Sequence, residues 1–276
     1  MRFAILAIMV LSMTSISSDA QQLKVMTYNI RLDTPNDSIN QWPKRAHKVY
    51  ALIQKYDPDL IGLQEVLHHQ LEDLLKNLPA YTHIGVGRDD GKTKGEYSAI
   101  LYKKDRFKAL NQNTFWLSET PEVPGSKSWD AAITRVASWG TFKDLKSNKE
   151  FLMINTHFDH IGKEARKNSA ELLKQKASET AKNFPLIITG DFNCTRKDAP
   201  YATIMNPAGI KLIDPASENP PGTYCSFKVN SIECQPIDYI FHSETWVSEK
   251  YQVIDDNDGK YYPSDHLPVM VSLDLK

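Results

Sequence analysis

Phe151-Leu152-Met153-Ile154-Asn155-Thr156-His157 and Pro185-Leu186-Ile187-Ile188-Thr189-Gly190-Asp191 bracket the stretch from Lys163 to Asn183, where Ala165, Leu172, Leu173, Ala177 and Ala181 recur at helical spacing. An apolar run, an amphipathic helix and a second apolar run closed by an acid predict a strand–helix–strand unit. The same order occurs earlier. Lys24-Val25-Met26-Thr27-Tyr28-Asn29 leads to a helix over Trp42 to Lys55 that carries Ala46, Val49, Tyr50 and Ile53, followed by Asp59-Leu60-Ile61-Gly62-Leu63-Gln64-Glu65. Pro43 stands where a first helical turn tolerates it. Asn29 and Glu65 lie 36 residues apart, and the same interval separates Asn155 from Asp191. Two related halves are therefore expected, each placing polar groups where a strand stops.

Working outward, Leu67, Leu71, Leu74, Leu75 and Leu78 form the stripe of a third helix after Glu65. Tyr97 to Tyr102, Phe107 to Leu110 and Ala137 to Phe142 read as short antiparallel strands, and Ile237 to Phe241 and Leu267 to Leu273 continue the pattern in the final third. No Ser/Gly linker or charge block divides the chain, so residues 21–276 are read as one domain of two packed sheets covered by helices. The polar loops Thr34 to Gln41, Arg88 to Glu96 and Glu119 to Trp129 are candidates for rimming a site. Phe115-Trp116-Leu117 and Trp129 are candidates for exposed aromatic surface.

The N-terminus reads as a secretory signal: Arg2, an apolar run from Phe3 to Met13, then Ser18-Asp19-Ala20 with small residues at the cleavage positions. That run is well short of the roughly 20 residues that span a bilayer. Cleavage after Ala20 and a secreted or periplasmic protein, without a transmembrane anchor and monomeric, are the expectation. The formal net charge is −1, which gives no global field for drawing in a polyanion. Cys225 and Cys234 can bridge in an oxidising compartment, a pairing that sequence leaves open. Cys194 is read as a small buried filler.

Taken singly, Glu65 reads as a helix-start acid and Asp191-Phe192-Asn193 as a turn. Their joint occurrence with Asn29, Asn155, His157, Asp238, Asp265 and His266, all at predicted strand ends, points instead to chemistry. Carboxylates and amide oxygens without thiolates suit a hard cation, Mg²⁺ or Mn²⁺, that retains waters and binds phosphate.

Met26-Thr27-Tyr28-Asn29-Ile30, Leu63-Gln64-Glu65-Val66, Asn155-Thr156-His157, Gly190-Asp191-Phe192-Asn193, Ile237-Asp238-Tyr239-Ile240 and Ser264-Asp265-His266-Leu267-Pro268-Val269 resemble, in order, the motifs of the endonuclease/exonuclease/phosphatase family. The resemblance implies an α/β (α+β) four-layer sandwich, two packed mixed sheets flanked by helices and related by a pseudo-two-fold. It implies a metal-dependent phosphoesterase that hydrolyses a P–O bond by in-line water attack. Glu65 would be the principal metal ligand, with Asn29 and Asp265 close by. His266 oriented by Asp238 would act at the phosphate, Asp191 would position or activate water, and Asn193 and His157 would hold phosphoryl oxygens. Tyr97 and Arg135 are further candidates for phosphate contact.

A phosphodiesterase or nuclease is the favoured form, with a phosphomonoesterase or a sphingomyelinase-like lipid diesterase as alternatives. Asn155-Thr156-His157-Phe158-Asp159-His160 also resembles the zinc signature of metallo-β-lactamase-fold hydrolases but has Asn155 in place of the first histidine. A non-catalytic protein holding a phosphorylated ligand is the alternative from another class. The substrate, whether nucleic acid, phospholipid or sugar phosphate, is not legible. Lys92, Lys94, Arg135, Lys163, Arg166 and Lys167 are candidates for a basic rim.

Overall fold

The computed structural model describes residues 22–182, 184–231 and 234–276. The signal segment at 1–20 lies outside the described residues. Along the chain run β1 (Leu23–Asn29), α1 (Trp42–Tyr56), β2 (Leu60–Val66), α2 (His68–Asn77), β3 (Tyr81–Ile84), β4 (Tyr97–Lys103), β5 (Phe107–Trp116) and β6 (Val136–Asp144). They are followed by β7 (Glu150–His157), α3 (Lys163–Ala181), β8 (Leu186–Asp191), α4 (Ala199–Met205), β9 (Leu212–Ile213), β10 (Asp238–Ser243), β11 (Trp246–Val253) and β12 (Val269–Leu275).

Two six-stranded mixed sheets result, ordered β11-β12-β1-β2-β4-β3 and β5-β6-β7-β8-β10-β9. In each, one parallel pair crossed by a helix occupies the centre: β1 with β2 through α1, and β7 with β8 through α3. Superposing the two orders strand by strand gives the expected pseudo-two-fold. Apolar side chains fill three layers. Val49, Ile53, Leu71 and Leu74 of α1 and α2 cover the first sheet, Leu173 and Ala177 of α3 with Ile204 of α4 cover the second, and Val25, Phe142, Phe151 and Val271 lie between the sheets. Helix, sheet, sheet and helix make the four layers.

The register corrects one inference from sequence. In the first sheet Asn29 stands opposite Gln64, not Glu65. In the second, Asn155 stands opposite Thr189 while His157 faces Asp191. The equal intervals therefore do not mark equivalent residues: the strand-end partner of Asn29 is His157, and Asn155 sits two positions further back. It is completely buried, donating to Leu63 O at 2.8 Å and Ala99 O at 2.9 Å and accepting from Gln64 Nε2 at 2.7 Å and Thr189 Oγ1 at 3.0 Å. A polar knot thus pins the two sheets together just beneath the strand ends. It also explains Gly62, where a Cβ would collide with the Asn155 amide and the Thr189 hydroxyl.

β5 extends to Trp116, beyond the expected end at Leu110, because it pairs along β6 as far as Val136. Phe115, Trp116 and Leu117 are consequently buried, and Trp129 is half-buried. The expected exposed aromatic surface is absent at these positions. Cys225 and Cys234 form a disulfide, and Cys194 is a buried free thiol. Among the described residues no helix is long and apolar enough to cross a membrane.

Candidate active site

The ends of β1, β2, β7 and β8, the start of β10 and the segment before β12 open onto one cleft of about 460 Å³. Glu65 reaches it through a bulge. Opposite β4, Leu63 pairs with Ala99 but Val66 pairs with Tyr97, so β2 spends one extra residue. Strict alternation would turn Glu65 toward the helices; Val66 takes that place, and Glu65 adopts φ 60°. The bulge redirects the carboxylate and puts backbone strain at the site.

Asn29 is the centre of the arrangement. Its Nδ2 lies 3.0 Å from Glu65 Oε1 and 3.0 Å from Asp191 Oδ2, and its Oδ1 accepts from Arg31 N at 3.0 Å. On one side, Glu65 and Asp265 share Arg31, at 3.5 and 3.8 Å. On the other, His266 Nδ1 is 2.9 Å from Asp238 Oδ2 while its Nε2 is 3.7 Å from Asp191 Oδ2. His157 Nε2 lies 3.3 Å from Asp191 Oδ2 and 3.1 Å from Asn193 Nδ2. Arg135 Nη1 is 2.9 Å from His157 Nδ1. Because a guanidinium only donates, His157 Nδ1 accepts, which leaves its proton on Nε2 toward Asp191.

Electrostatics separates these groups. Burial opposes charge on His266, but Asp238 and Asp191 outweigh it and hold the imidazole protonated, well above its ordinary range. Burial and Arg135 push His157 well below that range, so it is neutral. Burial and the Asp238 charge raise Asp191 to about 7. Asp265 is raised by burial to about 6, against His266. For Glu65, burial raises the carboxyl, yet Arg31, His266 and hydrogen bonds from Asn29 and Leu32 N bring it below the ordinary value. Two histidines thus sit in opposite protonation states beside one carboxylate, an arrangement suited to moving a proton and stabilising an anion.

Two places could accept a cation. Asp191, Asp238 and His266 offer donor atoms within 4.8 Å of one another, but the imidazolium already supplies positive charge there and His266 Nδ1 is bound to Asp238. The Glu65 and Asp265 carboxylates are a pair of oxygen donors faced by the partly exposed Arg31, with the Asn29 amide beside them turning its Nδ2 to Glu65 and its Oδ1 to Arg31 N. That second set fits a hard divalent ion. The zinc alternative finds no ligand in Asp159, whose carboxylate is filled by the N–H groups of Ala132, Ile133, Ile161 and Gly162.

Of the eight residues expected to carry metal or phosphate chemistry, Glu65, His157, Asp191, Asn193, Asp265 and His266 line this cleft. Asn29 and Asp238 stand behind them in contact with Glu65, Asp191 and His266, and Arg135 joins as a buried group beside His157 and Glu96. Tyr97 does not. Its ring is buried, and its hydroxyl is 3.0 Å from both Lys92 O and His68 Nδ1, outside the cleft walls. Of the suggested basic rim only Arg135 lines the cleft. Arg31, Tyr224 and Gln235 are wall residues that sequence reading missed, whereas Glu96 comes from the expected rim loop Arg88 to Glu96 and His160 takes a rim position beside Asp159. Arg45 was also missed: buried in α1, it donates to Ile30 O at 2.6 Å, Arg31 O at 2.7 Å and Pro263 O at 3.1 Å. It thereby ties the segment after Asn29 to the segment before Asp265 and His266. Arg31, next but one to Asn29, was the missed residue nearest a visible motif.

Residues 26–266 match the endonuclease/exonuclease/phosphatase family. The chain belongs to this family. Among solved structures, a family member from Bacteroides vulgatus superposes with a TM-score of 0.86 at 39% identity, covering 92% of this chain and 99% of that one. A mannosyl-6-phosphatase of Bacteroides thetaiotaomicron superposes with a TM-score of 0.84 at 41% identity, covering 91% and 99%. Among curated proteins, nocturnin of Drosophila melanogaster is 24% identical over 93% of this chain, and mouse tyrosyl-DNA phosphodiesterase 2 is 29% identical over 63% of it. These alignments span 47% and 42% of the two relatives' own lengths. Phosphatases and phosphodiesterases thus both stand among the family members that this chain resembles.

Proposed function

We propose that the protein is a Mg²⁺- or Mn²⁺-dependent phosphoester hydrolase whose substrate is the phosphate monoester of a neutral alcohol, a sugar above all. The cleft lining carries this reading. Its floor holds the carboxylate, amide and imidazole groups of phosphoryl chemistry, while its walls offer Arg31 and Arg135 and no lysine. Both arginines are engaged, Arg31 by Asp37 and Arg135 by Glu96 and His157. A nucleic acid needs cations along a path of several phosphates; a monoester needs one phosphate pocket. The favoured diesterase of the sequence reading therefore gives way to its monoesterase alternative, which the 41% identity to a mannosyl-6-phosphatase also supports.

A divalent ion at Glu65, Asn29 and Asp265 would neutralise phosphate charge and polarise the P–O bond. Asp191, titrating near neutrality, takes a proton from the attacking water. The His266 imidazolium, kept charged by Asp238, stabilises charge on the phosphoryl oxygens, and His157 Nε2 and Asn193 donate to other oxygens.

The test compares initial rates on mannose 6-phosphate, glucose 6-phosphate, bis-p-nitrophenyl phosphate, an oligonucleotide and sphingomyelin, with Mg²⁺ and after chelation. Hexose phosphates should be turned over fastest, with loss of activity on chelation and in Glu65→Ala and His266→Ala. Preferential cleavage of the oligonucleotide or the lipid would overturn the monoester reading; equal rates in all three proteins would overturn hydrolysis at this cleft.

We also propose export, supported by the leader ending at Ala20 and by the disulfide, which suits an oxidising compartment. N-terminal sequencing of the protein from the host periplasm or medium should begin at Gln21; an intact Met1 would refute it.

A further inference from the structure

One wall of the cleft is built differently from the rest. Tyr224 is 38% exposed, a large aromatic at the mouth, with its ring centroid 5.0 Å from that of His266. Across from it in an antiparallel pair stands Gln235: Tyr224 N donates to Gln235 O at 3.0 Å and Gln235 N to Tyr224 O at 3.1 Å. Both side chains line the cleft. Among the described residues neither the Tyr224 hydroxyl nor the Gln235 amide has a hydrogen-bond partner. Ile133 and the exposed His160 line the same cleft.

The backbone around this pair is wired into the catalytic floor. Cys225 N and Ser226 N both donate to Asp265 O, at 2.8 and 3.1 Å, and Leu267 N donates to Thr223 O at 2.6 Å. The Thr223 hydroxyl accepts from Asp238 N at 3.2 Å. Directly beside Tyr224 and Gln235, the Cys225–Cys234 disulfide fastens the two arms to each other. The aromatic ring and the amide are therefore held at a set position relative to His266, Asp265 and Asp238.

We propose that Tyr224 and Gln235 form the leaving-group subsite, in which the Tyr224 ring carries the apolar face of a sugar and the Gln235 amide bonds its hydroxyls, with the disulfide clamping both to the phosphate pocket. This rests on the monoester reading above and names where the alcohol half binds. An uncharged aromatic face with an amide and an imidazole nearby suits a polyhydroxylated ring: the C–H face packs on the aromatic, and each hydroxyl needs a neutral donor or acceptor. The same wall offers nothing to a second phosphate. Because the disulfide joins the residues directly next to Tyr224 and Gln235, while the backbone bonds to Asp265 do not depend on it, breaking it should raise KM for sugar esters more than it lowers kcat.

The experiment compares kcat/KM for mannose 6-phosphate with that for ethyl phosphate, whose alcohol has no ring, in the full-length protein with Mg²⁺. Tyr224→Ala should lose about tenfold more on mannose 6-phosphate than on ethyl phosphate, whereas Tyr224→Phe retains most of the discrimination. Gln235→Ala should lose about threefold more on the sugar ester. The double variant Cys225→Ser/Cys234→Ser, or dithiothreitol on the native protein, should raise KM for mannose 6-phosphate selectively. Thermal unfolding of each variant shows that the fold is retained. Equal losses on both esters, in a protein that turns over mannose 6-phosphate, would overturn the subsite and leave the monoester reading standing. A native protein that turns over no sugar monoester would overturn both.

Discussion

The first sheet brings Asn29, Glu65, Asp265 and His266 to the cleft, and the second brings His157, Asp191, Asn193 and Asp238, from strands in the same spatial order. Their strand ends differ in one respect. β8 runs straight into Asp191, directly opposite His157, whereas β2 inserts an extra residue so that Glu65 leaves the alternation. The regular end places a carboxylate beside a neutral histidine, an arrangement for protons and phosphoryl oxygens. The bulged end turns a carboxylate toward Asp265 and Arg31, an arrangement for a cation. A repeated topology thus supplies two converging edges, and local backbone geometry makes them chemically unlike.

Exchanging function between the sheets should fail, and this gives the largest expected effect. Glu65→Gln should lower turnover of mannose 6-phosphate about 10³-fold and raise the Mg²⁺ midpoint at least about tenfold. His157→Ala should lower turnover about 10²-fold with an unchanged midpoint. Magnesium titrations of activity on both variants decide it. If the two shift the midpoint alike, the division of labour between the sheets is wrong.

Asn155 offers a sharper test, because its spacing imitates that of Asn29 while its contacts are structural. Asn155→Ala takes the Asn155 donor from the buried Leu63 and Ala99 carbonyls and one acceptor from the Gln64 amide, which keeps its bonds to Thr27 and Gly62. Denaturant unfolding should show a loss of about 3 kcal/mol. A variant as stable as the native protein but inactive would make Asn155 a site residue and restore the simple repeat.

The cation side can be examined through protons. In the metal-free protein Asp265 titrates at about 6, raised by burial, against His266. It is ionised above that pH and protonated below, so an ion bound there must expel a proton in acid. Mg²⁺ affinity should be flat above pH 7 and fall about tenfold per unit below 6, with proton release seen by calorimetry in buffers of different ionisation enthalpy. Affinity independent of pH between 5 and 7 would remove Asp265 from the ligand set.

What sequence could reveal follows from the range of each interaction. Strand–helix–strand units are local, so β1 to β2 and β7 to β8 were legible, as were acids and amides at strand ends. The bulge at Glu65 was not, since it is defined against β4, a strand more than thirty residues away. Asn155 was misread for the same reason: only the second sheet's approach to Leu63 and Ala99 makes it a pin. Tyr97 shares the edge of the bulge, at Val66, yet its phenol turns to Lys92 and His68, a direction that no spacing encodes. Arg45 and Tyr224 act on segments distant in sequence and leave no local periodicity.

The smallest effect concerns how each crossover helix begins. Neither α1 nor α3 has a side-chain cap from its own N-cap residue, Gln41 or Gly162. Each borrows an acid instead. Asp33 Oδ1 accepts from Trp42 N at 3.2 Å, and Asp130 Oδ1 accepts from Ala165 N at 2.7 Å. Asp33 also holds His69 at 3.1 Å, whereas Asp130 is exposed and serves α3. The Ala165 N–H holds the Asp130 carboxyl below its ordinary value. Its contribution is accordingly complete above about pH 4 and is lost only as pH falls below that value. Asp130→Ala should lower Tm by about 2 °C at pH 7, and the difference from the native protein should shrink below pH 4. Asp33→Ala should cost more, since it also releases His69. Equal shifts in the two variants would show that the borrowed caps are interchangeable and that the two crossovers, unlike the strand ends they connect, have not diverged.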